Sequence, residues 1–270
     1  MQTNEAERRR WNDDRWAALW PKREPMTDAV SPFVLEAAAL EPGERVLEVG
    51  SGGGRLSLAA ARAVGPRGSV TGADLSTPLG ALARARAREA GVVHVSFHTV
   101  DMQTDTVPGE PFDVALSQFG VMFFDDPVRA FGNLRSQLVP GGRIAFACWQ
   151  RLEDNRWHFA SAISEFLPPA PPASRGTSAP GPFSLADPKR TTALLEEAGF
   201  RHVERTPHEL VVDVPAGSVY DDIQLSLMGV APEHHEQAHA RVERYLQQFA
   251  VSPDVTRIPL AFQVYTARST

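Results

Sequence analysis

The sequence predicts an α/β protein built on a mostly parallel sheet with helices on both faces. Two observations predict it. Strand-like and helix-like stretches alternate from Glu44 to Trp149, the pattern that strand–helix–strand crossovers impose on a parallel sheet. The residues with ligand-binding chemistry also fall just past the strand-like stretches, at the sheet edge where such folds take their ligands.

The first strand is the apolar run Val46, Leu47 and Val49, which reads as a strand buried on both faces. Gly50, Gly52, Gly53 and Gly54 follow it, and Leu56–Val64 is an Ala- and Leu-rich helix that stops at Gly65-Pro66. A strand, a glycine turn and a helix N-terminus form a cradle in which a ligand can lie against backbone N–H groups. A dinucleotide site would read G-x-G-x-x-G/A. Here Arg55 fills the third small position, and an acid, Glu48, stands two residues before Gly50. A carboxylate there suits a ligand with a positive group better than a pyrophosphate.

The remaining units follow in order. Gly68–Asp74 is a second strand that ends in an acid, suited to vicinal ribose hydroxyls. Thr77-Pro78 caps a helix that runs to Gly91. Val93–Phe97 alternates as a third strand, with Asp101-Met102 shortly after it. Phe112–Gln118 is the fourth strand, and the apolar segment Phe119–Phe124 lies past its end. Asp126-Pro127 caps a helix carrying Phe131, Leu134 and Leu138, and Pro140-Gly141-Gly142 turns into the fifth strand, Arg143–Trp149. Upstream, Trp16 and Trp20 lie four apart and would share a helix face, before Pro21 and Pro25. Ser31-Pro32 starts a helix through Leu40.

The C-terminal third is predicted to contain a helix from Asp187-Pro188 to Gly199-Phe200, a strand over Arg201–Val214 and a final strand over Ile258–Ala267. Between these strands, Ser218–Gly229 and Pro232–Phe249 read as two helices placed to cap the strand ends. Leu167–Pro182, rich in Pro, Ser, Ala and Gly, is expected to be a partly disordered loop.

With 270 residues, 43% apolar and 22% charged, the chain is ordinary for a globular protein with a full core. A formal charge of −6 and the lack of a Lys/Arg block argue against a nucleic-acid partner. One cysteine, Cys148, fits a reducing compartment, and no apolar run reaches membrane-spanning length. A cytoplasmic monomer or homodimer acting on a small molecule is the expectation. His235-Glu236-Gln237-Ala238-His239 matches the zinc pattern H-E-x-x-H. It sits in an amphipathic Ala/Gln/Arg-rich stretch with no further histidine after it, so no metal is expected.

The segments V-L-E-V-G-S-G-G-G, A-D-L-S, F-D-V-A-L-S-Q-F-G and L-V-P-G-G-R stand in an order that resembles the class I S-adenosylmethionine (SAM) dependent methyltransferases of quinone and small-metabolite methylation. The likeness covers residues 44–149 and is looser beyond. It implies a Rossmann-like seven-stranded sheet with an antiparallel last strand. It also implies SAM as cofactor and S-adenosylhomocysteine as product. The implied cofactor residues are Glu48, Gly50, Ser51, Gly52, Gly54, Asp74, Leu75, Asp101, Met102, Ser117 and Gln118. Asp101 would take the adenine amino group while Met102 packs on the ring. The resemblance divides the chain into a helical arm (1–30), a SAM-binding core (31–150), a part with a helical cap (151–257) and a final strand (258–270). The Trp16/Trp20 face of the arm either packs on the core or folds over the cofactor, as N-terminal helices do in that family.

For the acceptor, Phe119, Phe123, Trp157 and Trp16 are the candidate lining. No dedicated general base stands where the family places one, so catalysis by alignment and desolvation is expected, with His158 as the reserve base. The alternatives are an NAD(P)-type oxidoreductase, against which Glu48 and Arg55 speak, and a SAM-binding protein without turnover. Nucleic-acid methylation is disfavoured because no N-P-P-Y-type segment follows the fourth strand.

Overall fold

The computed structural model describes residues 4–109, 111–169 and 180–270. The centre of the Pro-rich stretch expected to be disordered, residues 170–179, lies outside these. The helices are α1 (Glu5–Trp11), α2 (Arg15–Asp28), α3 (Ser31–Ala38), α4 (Arg55–Val64), α5 (Thr77–Glu89), α6 (Pro127–Ser136), α7 (Pro188–Glu197), α8 (Asp222–Leu227) and α9 (His235–Leu246). The strands are β1 (Arg45–Val49), β2 (Ser69–Asp74), β3 (Val95–Thr99), β4 (Phe112–Gln118), β5 (Leu138–Trp149), β6 (Phe200–Pro215), β7 (Ala250–Ser252) and β8 (Val255–Ser269).

Seven strands run in the order β3-β2-β1-β4-β5-β8-β6. β1 through β5 pair in parallel, and β8 runs antiparallel to both β5 and β6. The expected mostly parallel sheet with an antiparallel last strand is therefore present. The short β7 adds a hairpin to β8 that the sequence did not announce. The core follows from the apolar runs. Val46, Leu47, Val114, Ala115 and Leu116 are fully buried in the central pair, and α4 lays Leu56, Ala60, Ala61 and Val64 on the sheet. β6 is the edge, alternately exposed along its length, and it carries Pro207 and Pro215, which an edge tolerates.

Several boundaries shift. β5 begins at Leu138, so Pro140-Gly141-Gly142 lies inside the strand rather than before it. The cap of α5 is Ser76, whose hydroxyl accepts from the Leu79 N–H at 3.3 Å, not Thr77. Asp126 and Asp187 do cap α6 and α7. The first cap helix is only Asp222–Leu227, because Asp221 takes the N-cap and Gly229 turns left-handed at φ 87°. Pro21 and Pro25 sit inside α2, which continues through both. Each removes one helical hydrogen bond, so the arm relies on what it touches for its stability.

Candidate active site

The carboxyl ends of β1, β2 and β4, with the segment after β3, open on one cavity of ≈ 260 Å³, roofed by α1, α2 and the cap around α8. Its floor begins at the glycine turn. Gly50 has φ 71°, and a Cβ there would stand 2.6 Å from the Gly120 Cα, so the first turn residue must be glycine for β1 and β4 to close together. Phe119, the residue after β4, is itself left-handed at φ 64°, a strained conformation for an aromatic residue. It lets Gly120 meet Gly50 while the Phe119 ring stacks on Trp149, centroids 3.9 Å apart.

The acids at the strand ends are held in place by backbone. Asp74 accepts from the Gly52 N–H and the Ser76 N–H, each at 2.7 Å, which leaves lone pairs on both oxygens for further partners. Burial raises its pKa, and these two bonds work against the rise. Asp101 is buried, accepts from the Gln103 N–H at 3.0 Å and faces Arg8 of α1 at 3.6 Å. The arm closes this end further: Asn12 donates to the Leu75 carbonyl at 2.8 Å and accepts from the Thr77 N–H at 3.0 Å.

Of the sequence candidates, Gly50, Gly52, Asp74, Leu75, Asp101, Met102, Gln118, Phe119, Phe123, Trp157, His158 and Trp16 line this cavity. Glu48, Ser51, Gly54 and Ser117 lie behind its wall. The buried Glu48 carboxyl turns to the Ser57 hydroxyl, which donates to it, and burial pushes its pKa up to about 8. Ser117 donates to the Val49 carbonyl at 2.7 Å and welds β4 to β1. Gly54 is the left-handed N-cap of α4. Gln118 reaches the cavity with both amide ends engaged: it donates to the Thr27 carbonyl and accepts from Ser31, both at 2.8 Å.

The arm and the cap form the roof, and three of the cavity's tryptophans were not among the candidate lining residues. Trp11, Trp20 and Trp149 join Trp16 and Trp157, so all five tryptophans of the chain line the one cavity. Trp11 stacks on Trp16 at 4.6 Å and meets Phe123 edge-on at 5.2 Å. Trp20 lies over the turn, where a Cβ on Gly52 would stand 2.9 Å from its ring. The Trp16/Trp20 spacing signalled a shared face. In the structure this face lies over the glycine turn, the second of the two readings the arm allowed.

Polar atoms without partners collect on the same wall. Asn4 Oδ1, Arg10 Nε, Trp20 Nε1, Arg23 Nε and Nη2, and His158 Nδ1 are buried with no hydrogen bond, and all five residues line the cavity. A buried polar group pairs with protein, water or ligand in native structures, so these groups keep capacity for a further partner. Among the described residues, no group of three or more His, Cys, Asp or Glu is placed to hold a metal ion. His235 and His239 of the H-E-x-x-H pattern both turn to Asp222, at 3.3 and 2.6 Å, away from this wall.

A glycine turn after β1, acids at the ends of successive parallel strands and a closing antiparallel strand are the arrangement that the resemblance to class I SAM-dependent methyltransferases implies. Residues 46–142 match the family model described as methyltransferase domain. Aklanonic acid methyltransferase DauC of Streptomyces sp. strain C5 is 38% identical over 104 residues, 38% of this chain and 47% of that protein. The ubiquinone/menaquinone biosynthesis C-methyltransferase UbiE of Ralstonia pickettii is 32% identical over 125 residues, 45% and 51% of the two chains. The match thus spans about half the length of these relatives. Among solved structures, a putative methyltransferase (BH2331) from Bacillus halodurans superposes with a TM-score of 0.60 at 20% identity, covering 89% of this chain and 99% of that one. That likeness establishes the fold.

Proposed function

We propose that this protein transfers a methyl group from SAM to a small, largely apolar organic acceptor of the secondary-metabolite, quinone or isoprenoid-like kind. The observation that carries the reading is the shared chamber: the glycine turn, Asp74 and Asp101 open on the same cavity as Phe119, Trp149 and Trp157. The residues fit the cofactor. Asp74 keeps free lone pairs for the ribose hydroxyls, and Met102 offers an apolar face beside Asp101 for the adenine. When bound, SAM supplies a methyl group on a positively charged sulfur, ready for in-line displacement.

The chain's own part is alignment and exclusion of water. The stacked Phe119 and Trp149, with Trp157 5.2 Å from Trp149, form an aromatic wall that orients a planar acceptor. The arm and the cap cover it. Where the acceptor must lose a proton, His158 is the group placed to take it. Burial lowers its pKa, which favours the neutral imidazole, and the residue lines the cavity with its Nδ1 buried and without a partner. Two histidine neighbours, Trp157 and Phe183, hold the ring at 5.7 and 5.1 Å.

The oxidoreductase alternative is disfavoured by Arg55. It fills the position where a dinucleotide site needs a small residue, and it is committed to ion pairs with Glu24 at 3.2 Å and Asp28 at 2.9 Å. Titration calorimetry with SAM, S-adenosylhomocysteine and NAD, followed by transfer of labelled methyl to a panel of phenolic and quinol acceptors, tests the reading. Tight NAD binding with none of SAM would sink it. SAM binding without transfer to any acceptor would favour a protein that binds but does not turn over.

A further inference from the structure

Arg23 is a cation of the cavity wall whose hydrogen-bonding capacity the protein uses only in part. Its Nη1 donates to the Ser218 carbonyl, while Nε and Nη2 are buried without partners. The acid nearest to it is already engaged: Asp221 accepts from Lys22 Nζ at 3.0 Å and from the Gln224 N–H at 2.9 Å. Burial pushes the guanidinium down to about 10, with Asp221 resisting the fall, so Arg23 remains a cation at neutral pH. A desolvated cation with two idle donors is costly unless a ligand completes it.

The two idle atoms are the informative ones. Nε and Nη2 share the edge of the guanidinium that grips both oxygens of a carboxylate. The same pair does so elsewhere in this chain, where Arg257 Nε and Nη2 hold the two oxygens of Asp213 at 2.8 Å each. The place in the chamber is equally specific. Arg23 is anchored to Ser218 at the cap, next to Val219, which lines the cavity, and Tyr220, whose ring meets Phe159 at 5.7 Å. Phe159 directly follows His158. The acids suited to the donor stand instead at the end of β2 and after β3, where Asp74 holds the Gly52 and Ser76 amides and Asp101 faces Arg8 of α1.

Building on the methyl-transfer reading, we infer that the acceptor carries a carboxylate that seats on Nε and Nη2 of Arg23, with its apolar body against the Phe119–Trp149 wall. This narrows the substrate class to organic acids with a flat hydrophobic body. Arg23 sets specificity by leaving a buried cation unpaired whenever a neutral analogue binds.

The test is calorimetric, on the full chain saturated with S-adenosylhomocysteine. The probes are benzoate, 2-naphthoate and anthracene-2-carboxylate, each paired with its primary amide. At least one carboxylate should bind roughly tenfold or more tightly than its amide. Arg23→Gln should abolish that preference by weakening the carboxylate alone, and Arg23→Lys, which keeps charge but not the fork, should restore part of it. S-adenosylhomocysteine affinity should stay within about threefold in both variants, which also shows that they are folded. No carboxylate binding better than its amide, or an undiminished preference in Arg23→Gln, would overturn the assignment. A tenfold loss of S-adenosylhomocysteine in Arg23→Gln with carboxylate binding intact would overturn it too, because Arg23 would then serve the amino-acid end of the donor. Failure of the wild-type protein to bind S-adenosylhomocysteine would overturn the methyl-transfer reading itself, and this inference with it.

Discussion

Arg86 of α5 grips the Glu24 carboxylate of α2 with both terminal nitrogens at 2.6 Å, and Arg86 Nη1 also donates to the Gly53 carbonyl at 2.9 Å. One guanidinium thus ties the arm, a core helix and the glycine turn together. Arg55 reaches the same buried carboxylate from α4. The arm is held to the turn by paired charges, and the unpaired polar atoms of Trp20 and Arg23 ride on it.

Glu24→Gln should therefore loosen the arm before it unfolds the core. Arg86 is partly exposed, so the cost should be moderate, about 1–3 kcal/mol. S-adenosylhomocysteine should bind several-fold more weakly, and trypsin should cut at Lys22 and Arg23 sooner than in the wild type. Limited proteolysis beside calorimetry measures both; unchanged values would show that the arm is held by its tryptophans alone.

Gly50→Ala and Gly120→Ala should each destabilise the protein by about 2–5 kcal/mol. The added Cβ would stand 2.6 Å from backbone in each case, at the Gly120 Cα and at the Val49 carbonyl oxygen. No side chain can swing aside to relieve that. Denaturant melts of the two variants give the numbers, and a loss under 0.5 kcal/mol would mean that β1 and β4 separate readily.

Glu48 makes stability depend on pH. Its folded-state pKa of about 8 lies above the ordinary 4.5, because burial favours the neutral acid. The folded chain then binds more protons than the unfolded one between these two values. The contribution of Glu48 is full below about pH 4.5 and is lost as pH rises through about 8. Glu48→Gln, which still accepts from Ser57, should flatten this slope and be the more stable protein at pH 8–9. Melting temperatures across pH 5–9 decide it, and parallel curves for the two proteins would count against a buried neutral acid.

Asp74→Ala should weaken SAM binding by roughly ten- to a hundredfold, about 1.5–3 kcal/mol. Part of that loss belongs to the turn, since Asp74 also fixes the Gly52 and Ser76 amides. Asp74→Asn keeps one acceptor oxygen and should fall between Ala and wild type in the same calorimetric titration. Equal affinity in all three proteins would remove Asp74 from the cofactor site.

His158→Ala should lower kcat by roughly 10²-fold or more at saturating SAM if the acceptor must be deprotonated. Because burial lowers the histidine pKa, the acidic limb of the wild-type kcat profile should fall below pH 6.5, and it should vanish in the variant. A change of only a few fold, with the limb retained, would leave alignment and desolvation as the whole of catalysis.

How much of this stood in the sequence depends on the range of the interactions. Periodicity, glycines and proline caps act within a few residues, so β4 falls on Phe112–Gln118 as expected and α4 begins one residue early, at Arg55. The acids at strand ends were legible because the fold repeats their placement. Glu48 shows the limit: its position suggested a contact with a cationic ligand, yet Ser57, on the helix after the turn, takes the carboxylate. The charges that fasten the roof were least legible. Glu24, Arg86, Arg10 and Arg23 look like ordinary surface charges until the arm folds back across more than 60 positions of chain, as the separation of 62 between Glu24 and Arg86 shows.

The gathering of every indole around one chamber has an optical consequence. Tryptophan fluorescence from this protein, excited selectively over tyrosine, reports on the chamber. Quenching on addition of S-adenosylhomocysteine or an aromatic acid is then a direct reading of occupancy. In a thermal melt, an emission shift that precedes the loss of circular dichroism would be the arm peeling from an intact sheet, seen as a separate event.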